Sequence, residues 1–229
     1  MVKNHLLRLA APQSWNIERK KTTFVTRPRP GAHALKEGMS INLVLREVLG
    51  RAGSTKETKH LLHEGAVLVN GRPIHDHKRI VGFMDVISFV ALQLHYRISI
   101  NEKGALIFVQ IPDSQLRILK VLNKTTLAKA QQMISCTGGT QLPSTVPCRV
   151  GDTVLIDEKT TIKKVFTLQK GSAVLLTGGS HIGSIGVVKS LFERGGQSYV
   201  EVTVAGKEFT TLKQFAFVLG DGKPAVKVN

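Results

Sequence analysis

Few folds accommodate the spacing of residues between Ser40 and Phe89, which predicts two short helices followed by a tight hairpin. Ile41, Val44, Leu45, Val48, Leu49 and Ala52 fall at i, i+3, i+4, i+7, i+8 and i+11, the pattern of a helix with one apolar face. Ser54-Thr55-Lys56-Glu57 sets a serine three residues before a glutamate, a capping box that starts a second helix. Gly65 follows Glu64 and is placed to stop that helix in the left-handed conformation. Val67-Leu68-Val69-Asn70-Gly71-Arg72-Pro73-Ile74 then puts Asn-Gly between two apolar runs, a strong short-range hairpin signal. None of these fifty or so residues forms a catalytic pattern. Their polar faces carry long cations instead: Arg46, Arg51, Lys56, Lys59, Arg72, Lys78 and Arg79.

That cationic character extends through the chain. Among 229 residues there are 32 Lys and Arg against 16 Asp and Glu, a formal net charge of +16. Like charges repel in the compact state, so such an excess implies a polyanionic partner, for which nucleic acid is the first candidate. A membrane surface is the competing polyanion, but no strongly apolar amphipathic helix is present to enter it. A small-molecule anion would need only a few cations. The excess is uneven: residues 1–36 carry eight Lys and Arg (Lys3, Arg8, Arg19, Lys20, Lys21, Arg27, Arg29, Lys36) against the single acid Glu18. The stretch 90–172 is the other cation-rich part.

Two cysteines, Cys136 and Cys148, are too few for a disulfide framework and lack metal-finger spacing, which suggests a reduced, cytosolic setting. Leu6-Leu7-Arg8-Leu9-Ala10-Ala11 is too short and too polar for a signal segment, and no stretch approaches the ~20 apolar residues of a membrane span. Residues 1–40 read as a basic arm. In it, Arg27-Pro28-Arg29-Pro30-Gly31 is a stiff, extended basic segment, and Trp15 is expected to pack on the domain that follows rather than to stack on a base. Beyond Phe89 the pattern is β. Leu94–Ile100 and Leu106–Ile111 flank a turn, 150–156 reads as a turn into a strand, 161–168 reads as the next strand, and the structure of 116–134 stays open. Short strands at Ala173–Leu176, 186–190, 199–204 and 215–219 suggest a small barrel.

Other motifs admit a structural explanation. Gly179, Gly183 and Gly186 in 177–188 match neither a P-loop, which needs Gly-Lys-Ser/Thr before a helix, nor the dinucleotide spacing. They suit tight turns and close strand approach, and a loop so bare can also bring Ser180 and main-chain N–H groups to a nucleic-acid backbone. His60 and His63 on the second helix, with His75 and His77 after the hairpin, lack a carboxylate or cysteine completing a tetrahedral set and read as a polar, RNA-facing surface. No Ser, His or Asp sits in a nucleophile elbow, and Asp85 and Asp152 occupy turn positions, so no enzymatic activity is expected.

The run Gly65-Ala66-Val67-Leu68-Val69-Asn70-Gly71-Arg72 resembles the alpha-L RNA-binding domain shared by ribosomal proteins, pseudouridine synthases and some synthetases. Gly82-Phe83-Met84-Asp85-Val86-Ile87-Ser88 is similar to the end of that domain in the family of ribosomal protein four of the small subunit, archaeal and eukaryotic "e" type. Further agreement comes from Lys3-Asn4-His5-Leu6-Leu7-Arg8-Leu9-Ala10-Ala11-Pro12 with Trp15, from Arg27 to Gly31, and from the loop after Gly178, which resembles a KOW motif. The resemblance implies an α+β, multi-domain chain. Its parts are a basic arm (1–40), an alpha-L RNA-binding domain (41–89), a central mostly β domain (90–172) and a C-terminal SH3-like KOW barrel (173–229). It further implies a structural constituent of the small ribosomal subunit, located on the cytoplasmic ribosome. The expected partners are small-subunit rRNA and neighbouring ribosomal proteins; no cofactor, metal, membrane or small-molecule substrate is expected. The missing basic extension after Asn229 favours the archaeal type. The expected RNA contacts are Lys3, Arg8, Arg19, Lys20, Lys21, Arg27, Arg29, Arg46, Arg51, Lys56, Lys59, His60, His63, Asn70, Gly71, Arg72, Lys78, Arg79, Ser180 and His181. The rival classes are a pseudouridine synthase, for which the 140 residues after Phe89 leave little room, and a non-ribosomal RNA-binding translation or transcription factor using the KOW-like barrel.

Overall fold

A computed structural model describes residues 5–112, 114, 116–127, 132–144, 146–157 and 160–228. Strand dominates, and helix is confined to a few short segments. The chain divides into two compact units, Met1–Ser99 with Ala105–Ser114, and Ile100–Gly104 with Gln115–Asn229.

In the first unit, β1 (His5–Leu7) pairs antiparallel with β2 (Phe24–Thr26) in the register His5 to Thr26, Leu6 to Val25 and Leu7 to Phe24. Strand β3 (Gly38–Ser40) leads into α1 (Ile41–Leu43), which widens into a π turn over Val44–Val48 where the Leu49 N–H donates to the Val44 carbonyl. The predicted single helix through Ala52 is therefore shorter. Gly50, at φ +60°, ends it, and Ala52 is buried beyond the helix.

Helix α2 (Thr55–His63) starts as its sequence demands. Ser54 Oγ accepts from the Glu57 N–H at 3.2 Å, and the Glu57 carboxylate reaches back to the Gly53 N–H at 2.8 Å, one residue before the usual capping-box partner. Gly65 stops the helix at φ +70°. The hairpin then joins β4 (Val67–Val69) to β5 (Arg72–Pro73) through Asn70 at φ 56° and Gly71 at φ 76°, the two positive angles a type I′ turn requires.

Strand β6 (Ile80–Gly82) pairs with β3, and β7 (Val86–Phe89) pairs with β4. A domain boundary was expected after Phe89, but no break in the sheet occurs there. Strand β7 continues into β8 (Leu94–Ile100), which is followed by β9 (Leu106–Ile111), giving the sheet order β5-β4-β7-β8-β9. All four residues of β7 are buried, so this strand needs neighbours on both edges and takes β8 as the second. Trp15, Met39, Ile41, Leu45, Leu62, Met84, Ile87, Ile98 and Leu106 are fully buried in this unit. Residues 5–40 thus contribute to a core rather than trailing as an arm.

The second unit holds two five-stranded antiparallel sheets. One contains β10 (Arg117–Thr126), β11 (Gln132–Cys136), β12 (Gln141–Pro143), β13 (Thr153–Ile156) and β14 (Ile162–Phe166), in the order β12-β11-β10-β13-β14. The free thiols of Cys136 and Cys148 lie in its core with Leu119, Val121, Ile134, Leu142, Val154 and Ile156. Burial, with Cys148 nearby, pushes the Cys136 thiol up to about 11, so it packs as an inert apolar group.

The other sheet contains β15 (Ser172–Leu176), β16 (Ile185–Arg194), β17 (Gln197–Val204), β18 (Lys207–Leu212) and β19 (Ala216–Asp221), in the order β18-β17-β16-β15-β19. Gly186 fits the expected close approach: a Cβ there would lie 2.5 Å from the side chains of Val202 and Val204. Lys120 is also internal. Its ammonium donates to the carbonyls of Gln214 (2.7 Å) and Ala216 (2.6 Å), and burial, with Lys213 nearby, lowers its pKa to about 8.

Candidate nucleic-acid interface

Helix α2 displays Lys56, Lys59, His60 and His63 at i, i+3, i+4 and i+7, one exposed face. Its opposite face buries Thr58 and Leu62. His60 is also within 3.3 Å of Glu64, one turn on. The segment after the hairpin meets this face, with the His63 and His75 rings 6.3 Å apart edge to face.

His77 marks where the charge converges. Its pKa is lowered by burial first, then by the cations Lys59, Lys78 and Arg29, against which Asp76 acts only in part. Lysine on α2, arginine from the extended segment after β2 and lysine from the loop before β6 therefore share one field. Main-chain bonding holds the arrangement, because the Arg29 N–H donates to the Lys78 carbonyl at 2.9 Å. Arg27, Arg51, Arg72 and Arg79 are exposed in the same unit, as are Lys20 and Lys21. Arg29 is exposed but pairs with Asp76 at 2.8 Å. Arg51 approaches the Tyr96 hydroxyl at 3.4 Å, and Lys78 and Arg46 are half-buried. Lys3 lies outside the described residues.

Four expected contacts have other work. Arg8 is 1% exposed. It grips both carboxylate oxygens of Glu47 at 2.6 and 2.7 Å and donates to the Thr22 hydroxyl and the Glu18 carbonyl. The Glu47 hydrogen bond raises the Arg8 pKa more than burial lowers it. Arg19 donates to the carbonyls of Ala11 at 2.7 Å and Pro12 at 2.8 Å. For Arg8 a partner 39 residues away, invisible in a list of cations, takes the guanidinium inward; for Arg19 the partners are main-chain carbonyls seven and eight residues back. Asn70 is likewise structural: its Nδ2 donates to Asp85 at 2.7 Å and its Oδ1 accepts from the Val86 N–H at 3.0 Å. Gly71 serves the turn.

Asp85, read from the sequence as a turn residue, is a hub. Its carboxylate, 5% exposed as a residue, accepts from His33 Nε2 (2.8 Å), Asn70 Nδ2 (2.7 Å) and the Gly82 N–H (3.0 Å). Burial alone would raise its pKa, but His33, Asn70 and Gly82 together hold it below the usual value. His33 is raised in turn: burial, the largest single cause, lowers it, but the hydrogen bond to Asp85 and the charges of Asp85 and Glu37 together outweigh that cost. Through Asn70, this ion pair ties His33 to the hairpin turn. Closer in sequence, the Trp15 Nε1 donates to the Gly38 carbonyl at 2.9 Å.

In the second unit, Ser180 and His181 are exposed on the loop between β15 and β16, where the His181 ring stacks on Phe209 at 3.9 Å. Phe209, like Phe24 and His5 beside the cationic surface, is an aromatic that charge counting missed. Among the described residues no group of three or more His, Cys, Asp or Glu is placed to hold a metal ion, and no helix is long and apolar enough to cross a membrane.

The chain is similar to known proteins. The profile described as "RS4NT (NUC023) domain" matches residues 2–36, and that described as "Ribosomal family S4e" matches 92–162. Small ribosomal subunit protein eS4 of Methanocella arvoryzae is 36% identical over 230 residues, covering 99% of this chain and 98% of the relative. The eS4 protein of Archaeoglobus fulgidus is 32% identical over 236 residues, covering all of both chains. The crystal structure of the 30S ribosomal protein S4e from Thermoplasma acidophilum has the same fold at a TM-score of 0.68, covering 81% of this chain and 96% of that one at 24% identity. With full-length identity at this level, the chain belongs to the eS4 (S4e) family of small ribosomal subunit proteins.

Proposed function

We propose that this protein is a non-enzymatic, structural constituent of the small ribosomal subunit that binds small-subunit rRNA and touches neighbouring ribosomal proteins. The observation that carries this reading is the convergence of Lys59, Lys78 and Arg29 around His77, beside the exposed α2 face, in a chain related over its whole length to eS4 proteins. On this reading, residues 41–89 act as an alpha-L RNA-binding module and residues 173–229 as a KOW-type barrel, with Ser180 and His181 at its RNA-facing loop. Phosphate contacts supply most of the affinity. Shape and unpaired loops supply specificity, because the A-form major groove is too deep and narrow for side chains. The site of action is the ribosome of an archaeal-type cytoplasm.

The test has two parts. Sedimentation of a cell extract with quantitation of the chain is expected to give about one copy per small subunit through a moderate salt wash; release at low salt would point to a transient factor. Binding of the full chain to small-subunit rRNA should then follow a log–log salt slope that falls by ~2–3 in the Lys56→Ala/Lys59→Ala/Arg46→Ala variant, at ~0.9 per phosphate contact. An unchanged slope would remove these residues from the interface.

A further inference from the structure

A cleft of about 290 Å3 in the first unit lies where β1 and β2 meet the cationic surface, and is lined by His5, Phe24, Thr26, Arg46, His77 and Lys78, among others. Its size is near the low end of small-ligand clefts, ~300–1,000 Å3, room for one nucleotide and not for a duplex.

Three properties of its walls belong together. The first is aromatic. Phe24 is 51% exposed, and the His5 ring stands against it, edge to face, at 4.7 Å. A half-exposed phenyl gains little for the core, but a base plane can cover it, since every base has a π face. The second is charge. Arg46, Lys78 and His77 bring cationic or protonatable groups to the cleft, and both nearby acids are already engaged. Glu47 faces Arg8 through both oxygens, and Asp76 serves Arg29 and the Lys78 N–H while lying 3.7 Å from His77. The third is an unmet donor. The Nε of Arg46 is buried with no hydrogen-bond partner, and its Nη1 has only a long contact, 3.4 Å, to the Thr55 hydroxyl. A buried N–H left so is costly until an acceptor arrives.

We propose that this cleft is a pocket for a single unpaired RNA nucleotide, with the base on Phe24 beside His5 and the phosphate held by Arg46, Lys78 and His77. The pocket rests on the RNA-binding reading above and names the part of the RNA it takes. It accounts for the apolar surface exposed at Phe24 and for the cations crowding His77, which a phosphate would relieve.

The experiment titrates the isotope-labelled full chain with adenosine 5′-monophosphate, ribose 5-phosphate and inorganic phosphate, following the ring resonances of Phe24, His5 and His77. The nucleotide is expected to shift all three rings and to bind at least ~5-fold more tightly than ribose 5-phosphate, the lower end of what base stacking supplies. Phe24→Leu keeps the apolar bulk without the ring, and should abolish that preference while leaving ribose 5-phosphate binding intact. Arg46→Gln should weaken all phosphate-bearing probes by ~10-fold or more, as expected for a charged hydrogen bond. Equal affinity for nucleotide and ribose 5-phosphate would overturn the pocket in favour of a plain backbone-phosphate site. Shifts confined to other residues, or none at millimolar nucleotide, would overturn it outright. Incorporation of the same variants into small subunits, judged by sedimentation, reads the ribosomal role separately, so a chain that assembles but ignores the nucleotide loses only the pocket.

Discussion

Replacing Asp85 by alanine is expected to loosen the first unit more than any surface change. The carboxylate carries three buried hydrogen bonds, from His33, Asn70 and Gly82, one of them from an imidazole whose charge it supports. Removing one member of a buried ion pair costs about 3–5 kcal/mol, a large part of the ~5–15 kcal/mol that holds a domain together. Asp85→Asn should cost less. Its amide oxygen can still serve His33 and Gly82, but its N–H faces Asn70, which cannot rotate without giving up the Val86 N–H. Trp15 is the only tryptophan and is buried in this same unit, so its emission reports urea unfolding of the unit specifically. At a urea dependence near 1.5 kcal/mol per M, the alanine variant should lose roughly 2–3 M of midpoint.

The pH dependence carries a sign. The folded pKa of His33 is raised above 6.5, so its contribution is present below that pH and is lost as pH rises through the raised value. The pKa of Asp85 is lowered from 3.8, so its contribution is present above 3.8 and is lost as pH falls through the lowered value. The difference between wild type and Asp85→Ala should therefore be widest between these limits and narrow in mild alkali. A midpoint change under ~0.5 M, or strict additivity of His33→Ala and Asp85→Ala, would refute the hub.

Other perturbations are equally specific. Arg8→Ala leaves Glu47 without its bidentate partner and should destabilise the first unit by about 3 kcal/mol by the same Trp15 readout. Arg8→Lys should rescue little, because one ammonium cannot span both carboxylate oxygens, Thr22 and the Glu18 carbonyl. Gly186→Ala forces a methyl against Val202 and Val204 at a cost of about 1–3 kcal/mol, read as faster amide exchange in β15 to β17 with Trp15 emission unchanged. RNA affinity should rise as pH falls through the pKa of His77 in the complex, because a bound phosphate raises the pKa of a His77 held below its usual value in the free protein. Proton uptake on binding, seen as a buffer-dependent heat and lost in His77→Gln, checks this.

Local signals were legible in the sequence. The Ser54–Glu57 cap, the stop at Gly65 and the Asn70-Gly71 turn each depend on residues a few positions apart, and all three form as read. The strands beyond Phe89 were mostly recognisable too, although β18 was overlooked and β10, in a stretch left open, is ten residues long. What the sequence concealed is long-range. Nothing near Arg8 announces Glu47, 39 residues away, and nothing near His33 announces Asp85, 52 residues away. Counting charges therefore makes Arg8 a free cation, which it is not. Burial of Trp15 was foreseen, but not that its neighbours form a strand pair and two ion pairs. The cationic surface was assigned from residue type; its focus at His77 is a product of folding.

The placement of those partners has a consequence for the order of events during synthesis. Several side chains and a strand in residues 5–40 leave the ribosome well before the partners that bury them. Arg8 waits for Glu47, β3 for β6, and His33 for Asp85. At ~5–20 residues per second, the last of these intervals spans roughly 3–10 s. Through that time a segment with eight cations and one acid is exposed without its core, next to the RNA of the ribosome that makes it. The hub at Asp85 is therefore a completion signal: only when it emerges can the nascent basic segment exchange indiscriminate attachment for a defined shape.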